Sequence, residues 1–102
     1  MIIMPRKTKS EKIAENEENF EQVKFLLNMI NEDNGVPRNI RKIAQESLDL
    51  IVNIDNKKNT PIVCASNCIS LLEDIAQDLN CPLHSRTQIY QILSLLEQIH
   101  DV

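Results

Sequence analysis

Cys64, Cys68, Cys81 and His84 carry the richest intrinsic chemistry in this chain, spaced C-x3-C and C-x2-H. Thiolate and imidazole together form a ligand set that zinc accepts, and a tetrahedral site needs every donor within about 2.3 Å of the metal. The spacing works against that assembly. If the segment holding Cys64 and Cys68 is helical, a rise of about 1.5 Å per residue leaves Cys68 roughly 16 Å from the helix end, where Cys81 and His84 lie. One chain then cannot close the site, and only a site shared between subunits would remain. No metal is therefore expected. Cys68 is assigned to a core and Cys64 to its boundary, since unpaired cysteine is among the most buried residue types. An odd number of cysteines without an export signal also speaks against a disulfide framework.

A second group is basic. Arg38, Arg41, His84 and Arg86 would make an anion site for a phosphate or carboxylate if the fold brought them to one end beside helix N-termini. The structural alternative is favoured. Asp33 precedes Arg41 by the same interval as Asp78 precedes Arg86, so two charge-assisted hydrogen bonds, Asp33–Arg41 and Asp78–Arg86, would fasten two turns. His84-Ser85 does not read as a nucleophile and base, because adjacent residues on a helix point apart and no oxyanion loop is visible. With one glycine in the chain, neither a Walker loop nor a dinucleotide fingerprint can be built. No catalytic residue, nucleotide or cofactor is expected.

The elements that would position these residues are helices, arranged twice. Shifted by 45 positions, Leu26 to Ile54 falls onto Leu71 to Ile99, with Leu26/Leu71, Ile30/Ile75, Asp33/Asp78, Pro37/Pro82, Arg41/Arg86, Leu48/Leu93 and Ile54/Ile99 retained. Loop and helices repeat together, so the spacing predicts two copies of one antiparallel helical hairpin. Ser10 reads as the cap of the first helix, whose stripe is Ile13, Phe20, Val23, Leu27 and Ile30. Gly35, free to take positive φ, ends its turn. Pro37 opens a second helix with the stripe Ile40, Ala44, Ser47, Leu48, Ile51 and Ile54. After the polar D-N-K-K-N segment, Thr60-Pro61 caps a third helix with Ile62, Ala65, Cys68, Leu72, Ile75 and Leu79 on its face. Cys81-Pro82 starts the fourth, which carries Ile89, Ile92, Leu96 and Ile99.

A chain of 102 residues with 42% hydrophobic content supports one core and one domain. Residues 1–9 are expected to be a mobile basic arm and 10–102 a single helical domain, with hairpin 1 over about 10–54 and hairpin 2 over about 60–100. Three aromatics and one glycine argue against a β-sandwich or barrel. The expected fold is all-α, a four-helix bundle of two repeated hairpins; short connections favour antiparallel neighbours. An open HEAT-like stack competes with it, because I-R-K-I-A at Ile40 to Ala44 resembles the start of the second helix in a HEAT repeat.

The motifs V-P-R-N-I-R (Val36 to Arg41) and P-L-H-S-R-T (Pro82 to Thr87), followed by the Ile89 to Leu96 run, resemble uncharacterised protein family 0147, small helical proteins of archaea. The similarity spans about Phe20 to Ile99. It implies a compact helical domain and an archaeal source, and it carries over no catalytic residue, ligand or substrate.

What remains for function is surface. A net charge of -4 opposes general binding to phosphate backbones, so RNA contact is expected to be weak and confined to Arg6, Lys7, Lys9 and Lys12. No apolar run approaches the roughly 20 residues that cross a bilayer, and Met1-Ile2-Ile3-Met4 is too short for a signal-peptide core, which places the protein in the cytoplasm. Phe25, Met29, Val52 and Leu95 fall outside or at the margins of the core stripes and are the candidate interface, aromatic and methionine side chains being usual anchors. The expected role is a non-enzymatic module that binds a protein partner or itself, a homodimer being favoured. The alternatives are a ribonucleoprotein accessory and a small-anion or metal site at the turn end.

Overall fold

The computed structural model describes residues 7–54 and 60–102. It contains four helices among those residues, α1 (Lys9–Glu32), α2 (Arg38–Val52), α3 (Pro61–Ala76) and α4 (Leu83–Glu97). Each packs on its chain neighbours, and α1 also packs on α4, whereas the diagonal pairs scarcely touch. An open stack of two hairpins would layer α1 on α3 and α2 on α4. The ring of neighbours instead makes this an all-α, closed four-helix bundle.

Local sequence explains most helix boundaries. Thr60 caps α3 by accepting the Val63 N–H, with Pro61 in the first turn. At the start of α1 the cap is Thr8, not Ser10: its hydroxyl accepts the Glu11 N–H at 3.2 Å. Thr8-x-x-Glu11 is the spacing of a capping box. Thr8 and Lys9, expected in a mobile arm over 1–9, belong instead to the helix start; Arg6 and the rest of 1–6 lie outside the described residues, as does the polar segment 55–59. Pro37 and Pro82 occupy the cap positions of α2 and α4, one residue earlier than their predicted place inside each first turn.

The α1–α2 and α3–α4 turns use the same hydrogen bonds. Asp33 and Asp78 each accept, on Oδ1, the N–H two residues on, from Gly35 and Asn80, both at 2.8 Å. Their carbonyls accept the N–H of Val36 and Cys81, at 3.1 and 3.0 Å. Gly35 does not need positive φ, which no described residue adopts. A Cβ there would stand 3.2 Å from Asp33 Oδ1, and Asn80 makes the same turn with a side chain attached.

The core joins all four helices, with Val23, Leu27, Ile30, Ile40, Cys68, Leu72, Ile89, Ile92 and Leu96 buried at its centre. Three predicted stripe positions depart from it. Ile13 is exposed because α1, with 24 residues against 15 or 16 in the others, is about 36 Å long and outreaches them. The buried residue on that turn is Asn16, whose amide pairs with the main chain of His100 at 3.0 and 2.8 Å. Leu79 is 95% exposed, since α3 ends at Ala76 and the Asp78 turn carries Leu79 outward. Ile62, at the solvent edge of α3, is also exposed. Cys64 is fully in the core rather than at its boundary. No helix among the described residues is long and apolar enough to cross a membrane.

Candidate functional site

The two Asp turns meet at one end of the bundle. The second oxygen of each carboxylate, free of its own turn, reaches the opposite hairpin: Asp33 Oδ2 lies 2.9 Å from His84 Nε2, and Asn39 Nδ2 donates to Asp78 Oδ2 at 3.1 Å. Asn39 and His84 are related by the same 45-position offset as the two aspartates. The cross-links are therefore reciprocal, the α1–α2 turn bonded to the start of α4 and the α3–α4 turn to the start of α2. The His84 bond, followed by the Gly35 N–H, holds the Asp33 carboxyl below the usual carboxylate range.

This geometry replaces the expected aspartate–arginine pairs. Both oxygens of each carboxylate are occupied, so Arg86 donates through Nη2 to the main-chain carbonyl of Asp78 at 3.0 Å, and Arg41 makes no side-chain hydrogen bond among the described residues, its Nε buried without a partner. Arg38 and Arg41 line a shallow recess with Lys42 and the Glu46 carboxylate. His84 is bonded to Asp33 and Arg86 to the Asp78 carbonyl, and neither lines the recess that holds Arg38 and Arg41.

The cysteines also divide. Cys64 and Cys68 turn their thiols toward the carbonyls of Leu50 and Ser47 on α2, at 3.5 and 3.6 Å, while Cys81 faces the Pro82 carbonyl at the turn. The neighbouring Cys64 and burial push the Cys68 thiol far up, and burial raises that of Cys81. Both shifts disfavour the thiolate that metal binding or nucleophilic attack requires. No three His, Cys, Asp or Glu side chains among the described residues are placed to hold a metal ion. Ser85 is fully buried and its hydroxyl has no partner among the described residues, whereas the His84 ring lies on Asp33.

At the start of α1, Lys7 is paired with Glu15, whose other oxygen is 2.6 Å from His100 Nε2. The Lys7 bond first and the His100 bond second lower the Glu15 carboxyl below its usual range. Lys9 is exposed and Lys12 half-buried on the first turns of a helix whose neighbouring side chains include Glu11, Glu15, Glu17 and Glu18.

An uncharged surface follows α1 and α4. Phe25 is 66% and Met29 43% exposed, and Phe25 borders a groove of about 460 Å³ lined by Gln22, Leu26, Gln91, Ser94 and Leu95. Of the four interface candidates, Phe25, Met29 and Leu95 belong to these two helices. Val52 does not join them; it lines a separate groove between α1 and α2 with Phe20, Lys24 and two glutamates. Tyr90 and Leu83 are exposed on α4, and sequence periodicity did not single them out because the core-facing stripe of α4 accounts for its apolar residues without them.

This fold belongs to a known family of helical proteins. The model of the uncharacterised protein family UPF0147 matches residues 7–99, and the chain is a member. The match takes in the N-terminal half of α1, which the resemblance from Phe20 onward left out. A UPF0147 protein of Methanothermobacter thermautotrophicus is 45% identical over 82% of this chain and 79% of its own length. One from Desulfurococcus amylolyticus is 38% identical over 88% of this chain and 96% of its own. The crystal structure of a UPF0147 protein from Thermoplasma acidophilum superposes with a TM-score of 0.77 at 32% identity, covering 85% of this chain and 99% of that one. The relatives are archaeal, as the resemblance implied.

Proposed function

We propose that this protein is a non-catalytic interaction module of the cytoplasm, binding another protein molecule through the α1/α4 face. The observation that supports it is the coincidence, on one face, of an aromatic and a methionine side chain left in water with a groove lined by uncharged residues. Interface centres are depleted of charge and enriched in such anchors. Leaving Phe25 exposed gains nothing for the fold.

The ribonucleoprotein alternative has less support, because Lys7 is committed to Glu15 and the remaining lysines of α1 stand among glutamates. The anion alternative has less support because His84 and Arg86, bonded to Asp33 and to the Asp78 carbonyl, do not line the recess that holds Arg38 and Arg41. The test is affinity capture from archaeal extract, with and without ribonuclease, comparing wild type and Phe25→Glu. Circular dichroism should show unchanged helicity, and a ribonuclease-resistant protein held by wild type should be lost from the variant. If wild type and variant retain the same proteins, the face is not the binding surface. Loss of every bound protein on ribonuclease treatment would move the assignment to the basic residues.

A further inference from the structure

The recess between α1 and α2 collects positive charge that the fold leaves unanswered. It has a volume of about 380 Å³ and is lined by Asn31, Arg38, Arg41, Lys42, Gln45 and Glu46. Arg38 and Lys42 are exposed and Arg41 is half-buried. Among the described residues none of the three forms an ion pair or a side-chain hydrogen bond, and Arg41 reaches Asp33 through its charge alone. Glu46 stands one turn beyond Lys42, the weaker order for a helix pair, and does not bond it. Asp49, the next carboxylate on this side of α2, is held by Gln45 at 2.9 Å.

These cations also stand where a helix does not favour them. They occupy the first turns of α2, where the dipole disfavours positive charge, and neither a capping side chain nor an acidic residue in the first turn offsets them. The chain supplies its own control. At the 45-position offset Arg38, Arg41 and Lys42 correspond to Leu83, Arg86 and Thr87. Arg86 is held by the Asp78 carbonyl, and α4 starts at the same place with Leu83 and Thr87. The turn thus accounts for an arginine at the shared position and not for Arg38 or Lys42.

The layout of the charge narrows the ligand. All three cations come from α2, at i, i+3 and i+4 on one face, and α1 contributes only Asn31, whose amide donates to Gln45 at 2.7 Å. A compact anion would meet donors from one wall alone, whereas carboxylates spread along an extended chain meet each cation in turn. Arginine clusters recognise acidic peptide motifs in this way. A nucleic-acid strand fits less well, since it carries a charge on every unit past Glu32, Glu46 and Asp49, which flank the recess along the two helices. A peptide can confine its acidic residues to the length of the recess.

We propose that this recess docks an acidic segment of a partner protein, its carboxylates meeting Arg38, Arg41 and Lys42. The recess shares no residue with the α1/α4 groove, so the proposal goes beyond the reading given above and fails separately from it. The test is a nuclear magnetic resonance titration of the full chain with an oligoglutamate peptide, an oligouridylate of equal charge and inorganic phosphate. Oligoglutamate should shift the amides of Arg38 to Lys42, bind more tightly than the other two, and weaken as salt is raised. Arg38→Leu with Lys42→Thr, which writes the hairpin 2 residues into hairpin 1, should weaken that binding at least about tenfold and leave Tm within a few degrees of wild type. Phe25→Glu should bind oligoglutamate as wild type does. Absence of shifts at α2, binding unchanged in the double variant, or an equal loss in Phe25→Glu overturns the proposal. Oligouridylate or phosphate binding the same amides as tightly overturns it in favour of a nucleic-acid or small-anion site, and a large fall in Tm of the double variant overturns it by giving the two cations a structural role.

Discussion

Replacing Asn16 should show how the long first helix is tied to the end of the chain. Asn16 is 3% exposed, and its amide does for His100 what a neighbouring strand would do, donating to its carbonyl at 3.0 Å and accepting its N–H at 2.8 Å. Asn16→Ala removes both bonds at once. A net contribution of about 1 kcal/mol per hydrogen bond gives a cost of about 2 kcal/mol, the freed main-chain groups of His100 being able to recover water. For a domain of this length that lowers Tm by about 8–16 °C. Thermal unfolding followed by circular dichroism measures the loss, and amide hydrogen exchange at His100 should change from protected to fast. A cycle with a chain lacking residues 100–102 isolates the pair: there Asn16 is a polar group without its partner, so the substitution should cost little or nothing. A full-length variant within about 0.5 kcal/mol of wild type, or an equal cost in both backgrounds, would refute the assignment.

Other consequences concern the core and the turns. Ser47 and Ser85 are completely buried, their hydroxyls without a partner among the described residues, so Ser47→Ala and Ser85→Ala should be neutral or stabilising by up to about 1 kcal/mol in denaturant titrations; a loss of that size instead would mean the hydroxyls are satisfied. The carboxyls of Asp33 and Glu15 are depressed below their ordinary values of 3.8 and 4.5. A depressed carboxyl contributes stability above its unfolded value and loses it as pH falls through its folded value. Wild type should therefore weaken as pH drops from about 4.5 downward, and Asp33→Asn with Glu15→Gln should weaken less over that window while being less stable at neutral pH. Parallel pH profiles for the two proteins would show that neither pairing persists in solution.

Much of the fold was legible because its rules are local. Proline at the starts of α2, α3 and α4, the Thr60 cap and apolar positions three and four apart act within one or two turns of chain, so they can be read without knowing what packs on what. The Thr8-x-x-Glu11 box was equally local and available; crediting Ser10 instead misplaced the start of α1. Ile13 and Leu79 failed for a different reason. Each sits in phase with its stripe, but burial requires a neighbour opposite, and neither the length of α1 beyond the bundle nor the early end of α3 is a property of phase.

By itself, then, the sequence determined four amphipathic helices and two matching turns, since capping and periodicity concern groups already adjacent along the chain. Only the tertiary structure decided the pairings. Asp33 bonds His84 rather than Arg41 because packing placed an imidazole from the start of α4 within 2.9 Å, while Arg41 acts on Asp33 through its charge alone. The closure of α1 on α4, the burial of Asn16 against His100 and the separation of Val52 from Phe25 have the same cause: helix rotation and axial register set which side chains meet, and both are fixed by the packed core as a whole.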